Sequence, residues 1–173
     1  MRLFFGVKVL DKDKKAIKRI QNALKEQYTG KYTALDNMHI TLAFLGEVEP
    51  KLLDMLVQIG DWAFEDLQKF AVSADRVDSF KAGEVTYLAV GDDERLTNIY
   101  NRLILLLDAK GMVYTQCDSY KPHVTLRRGR KIPLTFSVER VTIDVEEICL
   151  YESKRVDDVL RYIPLKVWRL KEK

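Results

Sequence analysis

The chain has 173 residues, of which 47% are hydrophobic and 32% charged, and its 29 Lys and Arg against 26 Asp and Glu leave a net charge of +3. That length builds one well-buried core without disulfide or metal staples, and no apolar run approaches the roughly 20 residues that cross a bilayer, so no membrane span is expected. The mild positive charge permits a polyanionic partner without demanding one, because its distribution matters more than its sum.

Met1 to Val9 is a short apolar stretch interrupted by Lys8, with no small-residue cleavage site after it, and reads as a strand, not a signal peptide. Asp11 to Tyr28 carries Ile17, Ile20 and Leu24 at helical spacing, with Lys and Arg on the other face and Thr29-Gly30 ending it. Met38 to Leu45 alternates as a strand, and Glu49 to about Asp66 reads as a second helix. Phe70 to Phe80 and Val85 to Val90, joined by Lys81-Ala82-Gly83-Glu84, read as a hairpin. A third helix is predicted from Asp92 or Asp93 to Lys110-Gly111, with acidic residues at its start. Beyond it, His123 to Arg127, Leu134 to Val138, Val141 to Leu150 and Leu160 to Val167 are candidate strands. Without a strict strand–helix–strand alternation, the class predicted is α+β with antiparallel sheets. No linker-like tract divides the chain, so residues 1–173 are expected to form one domain. Cys117 and Cys149 lack CxxC spacing, which points to a reduced intracellular setting.

A short repeat overlays this pattern. His39-Ile40-Thr41-Leu42 recurs 84 residues later as His123-Val124-Thr125-Leu126, and it captures both histidines of the protein. In a strand, alternate side chains share a face, so each motif offers an imidazole beside a hydroxyl while Ile40, Leu42, Val124 and Leu126 anchor the other face. Two such strands across a groove surround a tetrahedral anion. Phosphodiester hydrolysis without metal needs a base for water, an acid for the leaving oxygen and donors for the non-bridging oxygens. Two imidazoles and two threonines supply all three, since an unperturbed pKa near 6.5 lets one ring be neutral while the other is protonated. Taken singly, a strand histidine is more often a hydrogen-bonded boundary residue, and threonine a common strand former. A zinc site lacks ligands at short spacing, and no serine stands in a nucleophile elbow.

The motifs resemble those of the two-histidine (2H) phosphoesterases. Asn37 to Val48 looks like the first motif of the RNA 2',3'-cyclic phosphodiesterase branch, also called the 2'-5' RNA ligase branch, and Pro122-His123-Val124-Thr125-Leu126-Arg127-Arg128 looks like its second. Arg2 to Val7 and Leu150-Tyr151-Glu152-Ser153, with Tyr162 and Leu165, are similar to that branch too. The resemblance implies a bilobal fold with an antiparallel sheet in each of two pseudo-symmetric lobes. It also implies a cofactor-free, metal-independent, monomeric cytoplasmic enzyme of RNA processing that opens 2',3'-cyclic phosphate ends of RNA or nucleotides to 2'-phosphomonoesters. By position, His39 is the proton donor and His123 the proton acceptor, labels that are interchangeable on this reading, while Thr41, Thr125 and Arg128 hold phosphate. Arg127 is a further candidate contact: in an unbroken strand it shares the face of His123 and Thr125, whereas a bulge brings Arg128 round. The densest basic run, Arg127, Arg128, Arg130 and Lys131, reads as an RNA contact or as a charged edge. Alternatives are 2'-5' RNA ligation, another cyclic-phosphate substrate, or a non-catalytic RNA-binding module.

Overall fold

The computed structural model describes residues 1–80, 83–133 and 135–173. In chain order its elements are β1 (Arg2–Lys8), α1 (Asp11–Lys25), β2 (Lys31–Tyr32), β3 (His39–Glu47), α2 (Leu53–Phe64), β4 (Phe70–Ser79), β5 (Val85–Val90), α3 (Glu94–Ala109), β6 (His123–Arg128), β7 (Phe136–Val145), β8 (Glu147–Val156) and β9 (Val159–Arg169). Among the described residues the nine strands form one curled antiparallel sheet in the order β7-β4-β5-β6-β3-β1-β8-β9, with β2 paired to β6. The class is α+β, as the pattern predicts. Within the sheet, β7-β4-β5-β6 and β3-β1-β8-β9 make two halves that meet at β3 and β6, through the single pair Ile40 and Val124.

The 84-residue spacing of the motifs is a spacing of whole units. In the first half β1 and α1 lead to β3, with the two-residue β2 in between, and β1 pairs with β3; in the second, β5 and α3 lead to β6, and β5 pairs with β6. The helices cross the seam. Helix α1 packs on β7 of the other half and α3 packs on β3, which ties the lobes through one apolar core. The residues that face this core dictate the arrangement: α1 buries Ile17, Gln21 and Leu24 at helical spacing, and α3 buries Leu96, Ile99, Leu103 and Leu107. Asp93 caps α3 by accepting from the amides of Arg95 and Leu96 at 2.9 and 3.3 Å. At its other end Gly111, at φ +67°, takes the left-handed turn that a glycine makes without strain.

Strand β1 is buried on both sides. Leu3, Phe5 and Val7 enter the main core, whereas Phe4 joins Tyr151 and Cys149 in a second cluster on the opposite face, flanked by Phe44 and Tyr162. That second cluster becomes one wall of the site.

Several predicted boundaries move. Helix α1 stops at Lys25, and the region after Glu49 opens with one 3-10 turn, Pro50–Leu52, before α2. The separate predicted strands Leu134–Val138 and Val141–Leu150 redistribute: Ser137 pairs with Arg76 and Val141 with Ala74, so Val138, Glu139 and Arg140 bulge within one strand, β7. The real break falls at Glu146, after which β8 forms a long hairpin with β9. Leu134 at the start of the predicted strand, and Lys81 and Ala82 of the predicted turn, lie outside the described residues. No helix among the described residues is long and apolar enough to cross a membrane.

Candidate active site

The antiparallel pairing of Ile40 with Val124 sets the two motifs side by side in opposite directions. On that register, one residue further each way, His39 comes opposite Thr125 and Thr41 opposite His123. Ile40 and Val124 are fully buried beneath, while both histidines and both threonines line a groove of about 670 Å³ on the other face. All four motif residues thus share one surface, and strand alternation is the cause.

Each imidazole is held in the same way. The Nδ1–H of His39 donates to the carbonyl oxygen of Asn37 at 2.7 Å, and that of His123 donates to the carbonyl oxygen of Lys121 at 2.7 Å. A carbonyl accepts only, so Nδ1 carries the proton of the neutral ring and Nε2 is left with its lone pair. Nε2 of His39 lies 2.9 Å from Oγ1 of Thr41. The carbonyl of Asn37 is itself fixed, because the Asn37 side chain donates to Leu160 O at 2.9 Å and accepts from the Tyr162 amide at 3.2 Å, both on β9.

Aromatic rings cover both histidines. Phe4 lies 4.7 Å from the His39 ring and Tyr162 stands edge-on at 5.1 Å; Phe80 stands edge-on to His123 at 4.9 Å, with Tyr87 at 5.1 Å. This cover has an electrostatic effect. Burial lowers the pKa of His39 to about 4, with smaller contributions from the positive charges of His123 and Arg128, against the opposing pull of the Asn37 carbonyl. His123 is lowered too, first by burial and then by Arg128, against the Lys121 carbonyl. Both rings therefore favour the neutral state in the free protein.

The two arginines after the second motif part company. Thr86 pairs with Arg127 but Tyr87 pairs with Thr125, so Leu126 is an extra residue on β6, a β-bulge. Leu126 and Arg127 are consequently both buried, and Arg128 returns to the face of His123 and Thr125 and lines the groove. Arg127 is 2% exposed and turned inward, its guanidinium donating to Thr29 O and to Oγ1 of Thr86. Arg130 and Lys131 are exposed beyond the strand and do not line the groove.

Four cations, Arg2, Lys31, Arg128 and Arg155, line the groove among the described residues, with Asp158 as the carboxylate. Three of these cations escaped sequence reasoning. Arg2 was accessible to it, being two residues from Phe4 and on the same face of β1; Lys31 sits on a two-residue strand too short to carry a pattern, and Arg155 on a hairpin with no turn signature.

Comparison with known proteins identifies the family and the fold. Residues 9–157 match the 2'-5' RNA ligase superfamily. An RNA 2',3'-cyclic phosphodiesterase of Archaeoglobus fulgidus is 30% identical over 135 residues, covering 76% of this chain and 74% of that protein. An RNA 2',3'-cyclic phosphodiesterase of Escherichia coli is 26% identical over 98% of this chain and 96% of its own length. Among solved structures, E. coli LigT in complex with 3'-AMP superposes with a TM-score of 0.83 at 25% identity over 99% of this chain and 98% of that one. TT0787 of Thermus thermophilus shares the fold, with a TM-score of 0.84 at 20% identity over the whole of both chains. With paired His-x-Thr strands at the seam of two pseudo-symmetric half-sheets, the chain belongs to the 2'-5' RNA ligase superfamily of two-histidine phosphoesterases.

Proposed function

We propose that this protein hydrolyses RNA 2',3'-cyclic phosphate ends to 2'-phosphomonoesters by metal-independent acid–base catalysis. The observation that carries this reading is the pair of imidazoles, each pinned through Nδ1 to a main-chain carbonyl and presenting Nε2 to one groove. The activity in the names of the Archaeoglobus, Thermotoga and Escherichia relatives supports it.

The cyclic phosphate lies over the Ile40–Val124 seam. His123 Nε2 takes a proton from water as its oxygen bonds to phosphorus. The P–O3' bond breaks as His39 Nε2–H delivers its proton to O3', leaving a free 3'-hydroxyl and a 2'-phosphate. Thr41 and Thr125 hydroxyls and the Arg128 guanidinium donate to the non-bridging oxygens, where charge accumulates. Placing the two histidines on neighbouring strands suits an in-line displacement, in which entering and leaving oxygens stand on opposite sides of phosphorus. Because His39 is neutral in the free protein, it becomes an acid only when the bound anion raises its pKa, which ties protonation to substrate binding. A 5'-hydroxyl in place of water gives a 2'-5' phosphodiester by the same proton transfers, the activity for which the superfamily is named.

The test is to incubate the purified protein, with a chelator present, with a 2',3'-cyclic nucleotide and with RNA ending in a cyclic phosphate, and to identify the products. The expected product is the 2'-phosphate, with kcat falling on the order of 10²- to 10⁴-fold in His39→Ala and in His123→Ala. A 3'-phosphate product, loss of activity to the chelator, or undiminished turnover in either variant refutes the mechanism. RNA binding without turnover establishes a binding module instead.

A further inference from the structure

Arg127 is among the largest fully buried side chains of the protein, yet among the described residues the hydrogen-bond partners of its guanidinium are neutral oxygens: Thr29 O at 3.1 Å from Nε and 2.6 Å from Nη2, and Thr86 Oγ1 at 2.9 Å from Nη1. Burying a cation without a counter-charge costs more than burying an apolar side chain of similar volume. Stability alone therefore does not account for it; its rigid fork fixes positions. It ties three segments together, the loop after α1 through Thr29, strand β5 through Thr86, and β6 itself.

A second buried polar side chain works at the same place. Gln21 of α1, 3% exposed, donates from Nε2 to Thr33 O at 3.0 Å and to Leu126 O at 2.9 Å, and Leu126 is the extra residue of the bulge. The Thr33 amide donates to the same Leu126 carbonyl at 3.0 Å. Between Thr29 and Thr33 the chain presses on β6 so closely that a Cβ at Gly30, where φ is +142°, would come 2.8 Å from Arg128 O and 2.9 Å from Arg127 Nε. Lys31 and Tyr32, paired with Arg128 and Arg127, form the groove wall there.

We infer that Arg127 and Gln21 are positioning residues: a buried clasp that holds the β6 bulge and the Lys31–Thr33 wall, and thereby turns Arg128 into the groove. Without the clasp β6 relaxes toward plain alternation, which directs Arg128 away from His123 and Thr125. The inference rests on the phosphate role proposed for Arg128.

A double-mutant cycle on kcat/KM for a 2',3'-cyclic nucleotide tests it. Arg128→Ala is expected to lower kcat/KM about 10- to 100-fold, the worth of a lost hydrogen bond to a charged group. Arg127→Met, of similar length and without donors, is expected to lower it about tenfold, and Arg127→Met with Arg128→Ala is expected to be no worse than Arg128→Ala alone. Amide exchange at Thr33 should quicken in Arg127→Met. Gln21→Met gives the same non-additivity and keeps the test open should Arg127→Met not fold. Losses that multiply, or an Arg127→Met enzyme with full activity, overturn the clasp and leave the proposed reaction standing. A silent Arg128→Ala overturns the phosphate role and the clasp with it.

Discussion

On the proposed mechanism, the lowered pKa values of the two histidines predict the pH dependence of the reaction. In that mechanism the productive enzyme has one imidazole protonated and the other neutral, and kcat/KM reports the pKa values of the free enzyme. Burial holds His39 at about 4 and draws His123 below its ordinary 6.5. The optimum of kcat/KM is thus expected between these values, below pH 6.5, with a tenfold fall for each pH unit above the higher one, or about 100-fold from pH 7 to 9. At saturation the substrate changes the balance. A phosphate hydrogen-bonded to Nε2 sets a negative charge about 4 Å from the ring, worth about 4 kcal/mol at an effective dielectric of about 20, and so raises the pKa by up to about three pH units. The kcat profile should therefore lie to the alkaline side of the kcat/KM profile by roughly one to three pH units. The assay is initial-rate hydrolysis of a 2',3'-cyclic nucleotide from pH 4 to 9 at constant ionic strength, well below and well above KM. A kcat/KM that stays level through pH 9, or two profiles that coincide, refutes the argument that burial tunes the pair and that bound anion reverses it.

Stability should also depend on pH. Because His39 in the folded protein is held below its unfolded pKa of 6.5, the unfolded chain binds more protons between about pH 6.5 and 4; stability is full above 6.5 and falls by up to about 3 kcal/mol as the pH drops to about 4, a slope that urea unfolding should record and that His39→Ala should flatten. Gly60→Ala places a Cβ 2.1 and 2.3 Å from Cζ2 and Cη2 of Trp168, whose ring is fixed by Nε1–H donating to Asp61 Oδ1 at 2.7 Å; a loss of about 3 kcal/mol is expected in denaturant titration, with the groove unaltered. Tyr120→Phe removes the hydroxyl that donates to Thr41 O at 2.9 Å beside the first motif, and should cost about 1–2 kcal/mol in thermal unfolding together with a few-fold drop in kcat.

What the sequence disclosed follows from how locally each feature is determined. Period-two alternation in His39–Leu42 and His123–Leu126 decides which side chains share a face, and the 84-residue offset reports the repeat of strand, helix and strand that builds the seam. The arginines are a different matter. Whether Arg127 or Arg128 meets the groove depends on the bulge at Leu126, and that bulge exists because Gln21, 105 residues away in the chain, and Thr29 and Thr86 supply partners for what it buries. The β8–β9 hairpin was hidden for a local reason. Its turn is Asp157-Asp158, at φ 51° and 61°, in place of the Asn-Gly or Asp-Gly pair that announces such turns. In β7, exposed Glu139 and Arg140 interrupt the apolar alternation and mimic a loop where the strand only bulges.

The hairpin reaches the proposed site through one side chain. Asn37 reaches Leu160 and Tyr162 of β9 with its amide while its main-chain carbonyl holds Nδ1 of His39, so the wall of the groove and the tautomer of the first histidine are set by the same residue. The second histidine is held by a residue of another kind: Lys121, whose carbonyl accepts from it, is exposed. The two motifs start from the same local geometry and are made unequal by what surrounds them. His39 is packed against Phe4 and Tyr162 and bonded to Thr41, and its pKa falls to about 4, whereas His123 meets Phe80 and Tyr87 near Arg128. In the free protein that inequality favours a proton on His123 over His39, so the proposed acid role of His39 depends on the bound phosphate raising its pKa, and the choice between 2'- and 3'-phosphate rests on which ribose oxygen the groove walls hold in line with the attacking water.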